Sequence, residues 1–258
     1  MRIRATVAAV SGALALSAAV APAAQAAPVG PLDGGYGDTK ITKVVVDGDN
    51  KVSMSTSGAR TITVSVTATD DSGIAGADSF DLVGPGYGYE STSRPACKAV
   101  NATTSTCTAS VTVDPRTDAY WNSNAGTWYV GAWIDAEDGD FLWKEKAGSF
   151  HFQRATRLTA NAAPEPVKKG ATLTVTGKLT RANWETLTYG AYAGQSVTLQ
   201  FRKRSATAYS DVKTVRTNTK GDLKTTVQAS VDGYYRYVFK GNSSHAAVNA
   251  TGDFVDVR

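Results

Sequence analysis

TITVSVTA, residues 61–68, alternates apolar side chains with hydroxyl side chains. Successive side chains of a strand point to opposite faces of a sheet, so this period of two predicts a half-buried antiparallel strand. The same alternation recurs at 172–176, 197–201 and 234–239. Apart from the first residues, no stretch has helical periodicity. The chain is therefore predicted to be all-β.

Turn residues between the alternating stretches divide each half of the chain into about seven strands. The strands predicted in the first half are 41–47, 60–69, 77–83, 97–101, 106–113, 127–136 and 141–153. Those predicted in the second half are 157–162, 171–180, 196–204, 209–217, 222–229, 233–240 and 247–257. Seven short strands in about 100 residues are typical of an immunoglobulin-like sandwich. We therefore expect two tandem immunoglobulin-like antiparallel β-sandwiches, at 39–155 and 156–258.

The first residues carry an export signal. A basic start, Met1-Arg-Ile-Arg4, precedes an uncharged stretch, Ala5–Val20, and then the small residues of Ala24-Gln-Ala26. This pattern predicts a secretory signal peptide over 1–26 that is cleaved before Ala27, followed by a flexible lead-in over 27–38. A membrane anchor needs about 20 strongly apolar residues, and no segment of the chain is predicted to span a membrane. The product is expected to be secreted, and either extracellular or loosely associated with the cell wall.

The chain has two cysteines and two histidines. Outside the cytoplasm the cysteines are expected to form one disulfide, Cys97–Cys107, which stabilises by about 2.8 kcal/mol in the chain-entropy model. The alternative, a redox dithiol, usually has a C-x-x-C spacing. So few histidines exclude zinc fingers and His-rich metal centres. His151 and His245 have no evident catalytic partner and are predicted to be surface or space-filling residues.

Several motifs resemble bacterial immunoglobulin-like domains. Those in the first half are Asp70-Asp-Ser-Gly-Ile74, Gly126-Thr-Trp-Tyr-Val130 and Ala136-Glu-Asp-Gly139. Those in the second half are Pro166-Val-Lys-Lys-Gly170, Gly194-Gln-Ser-Val-Thr-Leu-Gln-Phe201 and Gly233-Tyr-Tyr-Arg236. The chain after the signal peptide is similar to secreted two-domain proteins of actinobacteria, some of which are described as calcium-binding. The resemblance implies the fold and export, whereas the shared turns and core strands imply little about chemistry.

Charge differs between the halves. Residues 28–155 contain 16 acidic and 10 basic residues, a net charge of −6, whereas residues 156–258 contain 7 acidic and 15 basic residues, a net charge of +8. Basic residues concentrate around one hairpin of the second half, at Arg202, Lys203, Arg204, Lys213, Arg216, Lys220 and Lys224. This basic C-terminal domain is a candidate for binding an anionic cell-wall polymer. Protection of sheet edges is the alternative, and no nucleic-acid-binding module is recognisable.

Two acidic loops are expected to meet at one end of the first sandwich, because the loop after the second strand and the loop before the last strand share that end. They contain Asp70, Asp71, Asp138 and Asp140. Several carboxylates on loops are the ligands that Ca²⁺ prefers, so these four form a candidate calcium site. Asp-Ser-Gly and Asp-Gly are also ordinary turn formers, which is the alternative interpretation.

No catalytic motif is present: the chain lacks a G-x-S-x-G elbow, an H-E-x-x-H helix and a phosphate-binding glycine loop. An enzyme is therefore not predicted, and no cofactor is required, with calcium the one candidate ion. The predicted function is that of a secreted, non-enzymatic binding or scaffolding protein at or beyond the cell wall. A calcium-binding module is the first alternative. An extracellular hydrolase that uses a carboxylate pair is the second.

Overall fold

A computed structural model describes residues 33–91, 93–118 and 121–258, so the predicted signal peptide lies outside the described residues. The strands of the first half are β1 Asp33–Tyr36, β2 Lys40–Val46, β3 Lys51–Met54, β4 Arg60–Thr69, β5 Ile74–Val83, β6 Gly88–Glu90, β7 Ala96–Asn101, β8 Thr104–Val113, β9 Gly126–Ala136 and β10 Phe141–Arg154. Those of the second half are β11 Thr156–Leu158, β12 Asn161–Ala163, β13 Thr172–Asn183, β14 Thr188–Ala191, β15 Ser196–Lys203, β16 Ser210–Arg216, β17 Asp222–Gln228, β18 Gly233–Phe239, β19 Val248–Asn249 and β20 Asp253–Val255. A single 3₁₀ turn, Asn122–Asn124, precedes β9. Within the described ranges, no helix has the length and apolar character needed to cross a membrane.

The first half is an immunoglobulin-like sandwich. One sheet has the order β2-β4-β8-β7 and the other β1-β10-β9-β5-β6, while β3 pairs with β10 in parallel. Strands 2, 4, 8 and 7 therefore correspond to A, B, E and D of the immunoglobulin fold, and strands 5, 9 and 10 to C, F and G. The all-β, immunoglobulin-like fold class is confirmed.

The second half repeats this division with shorter strands. Its first sheet is built on β13, which pairs with β11, β12, β14 and β17. The facing sheet has the order β16-β15-β18, and the far edge of β18 pairs with β19 and β20 in turn. The strands predicted at 157–162 and 247–257 are thus each divided in two.

Some elements differ from the sequence prediction. Residues 33–36, predicted as part of a flexible lead-in, form β1 and pair with Phe141–Lys144 of β10. The three short strands β3, β6 and β14 were not predicted at all. Each has only three or four residues, which is too short to show a period of two.

The buried apolar residues form two clusters, one in each half. The largest fully buried side chain of the first cluster is Trp128, whose indole nitrogen donates a hydrogen bond to the Asn124 carbonyl at 2.7 Å. Tyr237 is the corresponding residue of the second cluster, and its hydroxyl donates to the Val175 carbonyl at 3.0 Å. Both aromatic residues thus place their polar atom on a backbone acceptor, as burial requires.

The two halves are joined by side chains that cross the predicted boundary near residue 155. Trp184, in the second half, packs within the first cluster, 5.5 Å from the ring of Phe152, and donates to the Met54 carbonyl at 3.2 Å. In return, Arg154 donates from Nε to the Ala182 carbonyl at 2.6 Å. These contacts fix the junction, and the boundary at 155/156 itself stays a prediction.

The sheet face formed by β4 and β8 is rich in hydroxyl groups. Directly opposed residues pair through their side-chain oxygens: Thr61 with Thr112 at 3.0 Å, Ser65 with Thr108 at 3.2 Å and Thr67 with Thr106 at 3.0 Å. Such cross-strand hydroxyl pairs stabilise an antiparallel ladder. The hydroxyl set of residues 61–68 therefore faces outward, as its alternation predicts.

Candidate functional site

The disulfide is confirmed. Cys97 in β7 and Cys107 in β8 are directly opposed in the ladder and bonded to each other. Cys107 lies in the first core, and the described residues include no free cysteine. The bond therefore joins two neighbouring strands of one sheet.

The acidic loops meet at one end of the first sandwich, as expected. Asp70 directly follows β4, and Asp138 and Asp140 lie in the turn between β9 and β10. One carboxylate oxygen from each of these three residues lies within 4.8 Å of the others. Asp71 belongs to a second group of the same dimension, which it forms with Asp70 and Asp38. The four predicted aspartates are thus close together, but as two groups that share Asp70.

Asp70 is the buried member of both groups, with 2% of its surface exposed. Burial alone would raise its pKa, but the Ser72 hydroxyl and the Thr39 hydroxyl each donate to its carboxylate at 2.6 Å. The Ser72 amide donates as well, at 3.0 Å. Together these donors hold the pKa of Asp70 below its usual value. The carboxylate is therefore ionised at neutral pH and faces its acidic neighbours as an anion.

Asp38 is an addition that the sequence analysis missed. Its pKa is raised by loss of hydration and by the charges of Asp71 and Asp70. Its amide donates to Asp140 Oδ2 at 2.9 Å. The neighbouring Gly37 has a φ of +85°, and the carboxylate of Asp140 occupies the place of a Cβ there. The lead-in therefore folds back over the loops and brings a further acidic group to them.

His245 is buried, which fits the space-filling alternative of the sequence prediction, but it has partners that the sequence did not show. It is 6% exposed, and its ring nitrogens lie 3.0 Å from the Tyr192 hydroxyl and 3.2 Å from Arg181 Nη1. Burial, together with the charges of Arg181 and Arg154, lowers its pKa to about 4. A neutral imidazole thus lies at the junction of the halves.

The other histidine, His151, lies between two buried phenylalanines of β10 and is itself half-buried. Its Nδ1 atom is buried and has no hydrogen-bond partner among the described residues. The sequence prediction for this histidine, a surface or space-filling residue, stays a prediction.

The basic residues of the second half do not all lie on one surface. Lys224 is in β17 and Lys213 in β16, which belong to different sheets. Lys213 donates to the Thr226 carbonyl at 2.9 Å and so spans the two sheets at their edge. Arg202 lies on the outer face of the β16-β15-β18 sheet, opposite Tyr234. The predicted basic patch is therefore divided between an edge and a face.

That outer face carries guanidinium groups over aromatic rings. Arg236 lies 3.8 Å from the ring centre of Tyr209, Arg202 lies 4.2 Å from that of Tyr234 and Arg204 lies 5.7 Å from that of Phe254. Such pairs are electrostatically favourable and restrict where each guanidinium group lies. We call this surface the arginine face; it comprises Arg202, Arg204, Arg236, Tyr209, Tyr234 and Phe254.

The first half also has an aromatic surface, on the outer face of its β1-β10-β9-β5-β6 sheet. The rings of Trp133 and Phe141 stack at 5.3 Å with an angle of 5° between their planes, and Trp143 lies 6.3 Å from Trp133. Register places three carboxylates on the same face. We call this surface the aromatic–acidic face; it comprises Tyr36, Tyr129, Trp133, Phe141, Trp143, Asp81, Glu90 and Asp135.

The grooves and paired carboxylates of the second half bear on the hydrolase alternative. One groove of about 610 Å³ opens to solvent between β16 and β17, and Lys213 is the one charged side chain among the described residues that line it. The Glu165 carboxyl shares a hydrogen bond with Asp253, and burial and Asp253 raise its pKa. A glycosidase instead keeps its two carboxyl groups about 5 Å or more apart.

No protein-family model matches the chain, nor does any curated protein sequence. Among solved structures, the N-terminal domains of the bacteriophage RB49 highly immunogenic outer capsid protein are 8% identical, over 85% of this chain and 71% of theirs, with a TM-score of 0.30. The D00-D0 domain of intimin is 14% identical, over 83% of this chain and 99% of that one, with a TM-score of 0.26. A chain of the complex between Dpr2 Ig1-Ig2 and DIP-Theta Ig1-Ig3 is 12% identical, over 84% and 99%, with a TM-score of 0.28. These likenesses carry no argument about function, and the fold rests on the strand order given above.

Proposed function

We propose that the protein is a secreted, non-enzymatic binding protein that acts at or beyond the cell wall. It binds an anionic cell-wall polymer through the arginine face of its second half. The single observation that carries the proposal is the arrangement of Arg202, Arg204 and Arg236 over aromatic rings on one outward sheet face. Guanidinium groups held in this way present planar donors to phosphate or carboxylate groups.

The electrostatics of the second half support the same partner. Its net charge of +8 attracts a polyanion over distances longer than contact. Arg204 has a side chain that is 70% exposed and lies 3.9 Å from Asp232, which is a weak ion pair that a polymer phosphate can replace. A flat sheet face also suits a chain-like ligand, which has no need of a closed pocket.

Co-sedimentation of the protein with isolated cell walls tests this function. The triple variant R202A/R204A/R236A is expected to lose at least about tenfold in affinity, which corresponds to about 1.4 kcal/mol. The matched control K168A/K169A/K240A removes the same charge from exposed lysines outside the arginine face and is expected to retain most of the affinity. Equal losses in both variants would mean that net charge alone, and not the face, binds the wall.

Calcium binding is the second candidate function, and the geometry of the acidic loops favours it. Oxygens of Asp70, Asp138 and Asp140 lie within 4.8 Å of one another, a distance that a single Ca²⁺ can bridge. Asp70 is buried and ionised, so it supplies a fixed anionic ligand. A bound ion would relieve the repulsion among these carboxylates and so stabilise the first half.

A thermal melt with millimolar CaCl₂ tests the calcium site. We expect an increase of several degrees that EDTA reverses, and a smaller effect of Mg²⁺, which demands tighter octahedral geometry. D138N should remove the shift, whereas E137Q, the same charge change in the same loop, should keep it. A shift no larger than that of NaCl at equal ionic strength would assign these aspartates to turn formation alone.

A further inference from the structure

The aromatic–acidic face is a closely packed surface of the first half, and it has no role in the proposed function. A Cβ at Gly131 would lie 3.4 Å from Cη2 of Trp143 and 3.3 Å from Cβ of Asp81. The absence of a side chain at this central position thus lets the indole lie close across the sheet, next to the carboxylate. The Trp133 indole in turn donates to Asp135 Oδ1 at 2.8 Å. Rings and carboxylates therefore alternate over the middle of this sheet.

Burial and the neighbouring Glu90 raise the pKa of Asp81. Two carboxylates close together beside apolar rings are poorly compensated by solvent, and a cation placed between them relieves their repulsion. Aromatic rings attract the same kind of cation on their faces. The chemistry of the surface thus suits a partner that presents guanidinium or ammonium groups together with rings.

The chain itself carries a surface of that chemistry, the arginine face. The half bearing the aromatic–acidic face has a net charge of −6 and the half bearing the arginine face has a net charge of +8. We propose that the aromatic–acidic face of one copy docks on the arginine face of a second copy. Tyr, Trp and Arg are the residue types that dominate the binding energy of protein interfaces, and they make up five of the six residues of the arginine face and four of the eight of the aromatic–acidic face.

This contact is head-to-tail, because it joins two different surfaces. A pair keeps one face of each kind unused, the arginine face on one copy and the aromatic–acidic face on the other, so further copies can add and the assembly grows with concentration. A symmetric contact between two aromatic–acidic faces would oppose Asp81, Glu90 and Asp135 with their own copies, which like charges disfavour. The junction between the halves is formed elsewhere, by Trp184 and Arg154, and leaves both faces outward.

Assembly does not depend on polymer binding, although both use the arginine face. Sedimentation velocity of the full chain without any polymer is therefore the first experiment. At about 0.01 M NaCl, where charges act over ~30 Å, the average mass should rise with protein concentration, and at about 1 M, where they act over ~3 Å, it should return to that of one chain. Addition of anionic cell-wall polymer at low salt should also dissociate the assembly if the proposed function is correct.

Two variants test the faces separately. W133A/W143A removes the rings of the aromatic–acidic face, and R236E reverses a charge of the arginine face; each alone should be a single chain under all conditions. An equimolar mixture of the two should form a one-to-one complex and nothing larger, because one intact face of each kind remains. K224E, the same charge reversal on the other sheet of the second half, should assemble like the unmodified protein. Circular dichroism and thermal melts check that every variant is folded.

The two proposals fail in different ways. A wild-type chain that stays single at low salt, or a mixture that forms no complex, overturns head-to-tail docking, whatever the polymer assay gives. Retention of W133A/W143A on cell walls is expected, so loss of wall binding in this variant would also contradict the separation of the two faces. The protein could instead stay a single chain and be retained by a neutral glycan column. If W133A/W143A then loses that retention, the aromatic–acidic face is assigned to a glycan.

Discussion

Trp128 in the first sandwich and Tyr237 in the second are the largest fully buried side chains of their cores, but they serve different connections. The Trp128 indole donates to Asn124, four residues earlier, and so holds the 3₁₀ turn against its own strand. The Tyr237 hydroxyl donates to Val175, which lies in the facing sheet. The hydrogen bond of Trp128 thus stays within one segment of the first sandwich, whereas that of Tyr237 connects the two sheets of the second.

Other stabilising features also differ between the two sandwiches. The first sandwich has a ladder of ten opposed pairs between β4 and β8 and a disulfide beside it. The second has no cysteine, and two of its edges are divided into short strands. Of the buried polar residues in the described ranges, only Thr217 and His245 belong to the second sandwich, and Arg154 of the first sandwich lies beside His245 at the junction. The first sandwich therefore has a covalent cross-link that the second lacks, and polar contacts at the junction hold the two together.

W128A should cause the greatest loss, about 3–5 kcal/mol in the free energy of unfolding, because it leaves a large cavity in the first core. Urea denaturation followed by circular dichroism measures it. The control W121A removes an indole that is 61% exposed and should change the free energy by less than about 0.5 kcal/mol. Similar losses in the two variants would show that Trp128 does not fill the core.

Acid should weaken the junction. Burial and Arg181 lower the pKa of His245 to about 4, below its unfolded value of 6.5, so the unfolded chain binds the proton more readily. This stability is fully present above pH 6.5 and is lost as the pH falls towards 4, by up to about 3 kcal/mol. Unfolding in urea between pH 7 and pH 4 measures it. H245Q should flatten this part of the profile, and an unchanged profile in H245Q would contradict the assignment.

Removal of the disulfide should cost the first half about 2–3 kcal/mol, since the cross-link restricts a short loop of the unfolded chain. C97A/C107A lowers the melting temperature by several degrees in calorimetry. Alanine at both positions avoids a free thiol in the core. A loss in the second half instead would indicate that the two cores do not melt independently.

Y237F should have the smallest effect, a loss of about 1–2 kcal/mol, because the ring remains and only the donor to Val175 is removed. Burial also raises the pKa of Tyr237 to about 12, and its replacement should remove the tyrosine that titrates last in an ultraviolet titration. Y234F, on the outer face, serves as the control and should leave the free energy of unfolding nearly unchanged.

Long strands with strict alternation could be predicted from the sequence. Single residues that approach a site from a distant part of the chain could not. The strand at 60–69 is confirmed to the residue, because ten alternating positions fix both its faces and its length. The meeting of Asp70 with Asp138 was predictable from strand order alone. The approach of Asp38 was not, since a stretch with four glycines gives no sign of a strand.

The two surfaces and the junction depend on register between distant strands, which no single stretch of sequence encodes. Arg202 was recognised as basic, but its neighbour Tyr234 follows from pairing between β15 and β18. Trp184 looks like a loop tryptophan in the sequence and becomes a core residue of the other half. The partners of His245 could not be named from the sequence for the same reason, because Arg181 and Tyr192 come from a different part of the chain.

The hydroxyl ladder of β4 and β8 leaves the middle of one sheet of the first sandwich almost without charge. These two strands contain a single charged residue, Arg60, and their outward oxygens satisfy one another in pairs. The net charge of −6 is therefore displaced to the loops and to the opposite sheet. The field of this half is directional, so an approaching cationic surface exerts a torque that turns the molecule before contact and selects which side arrives first.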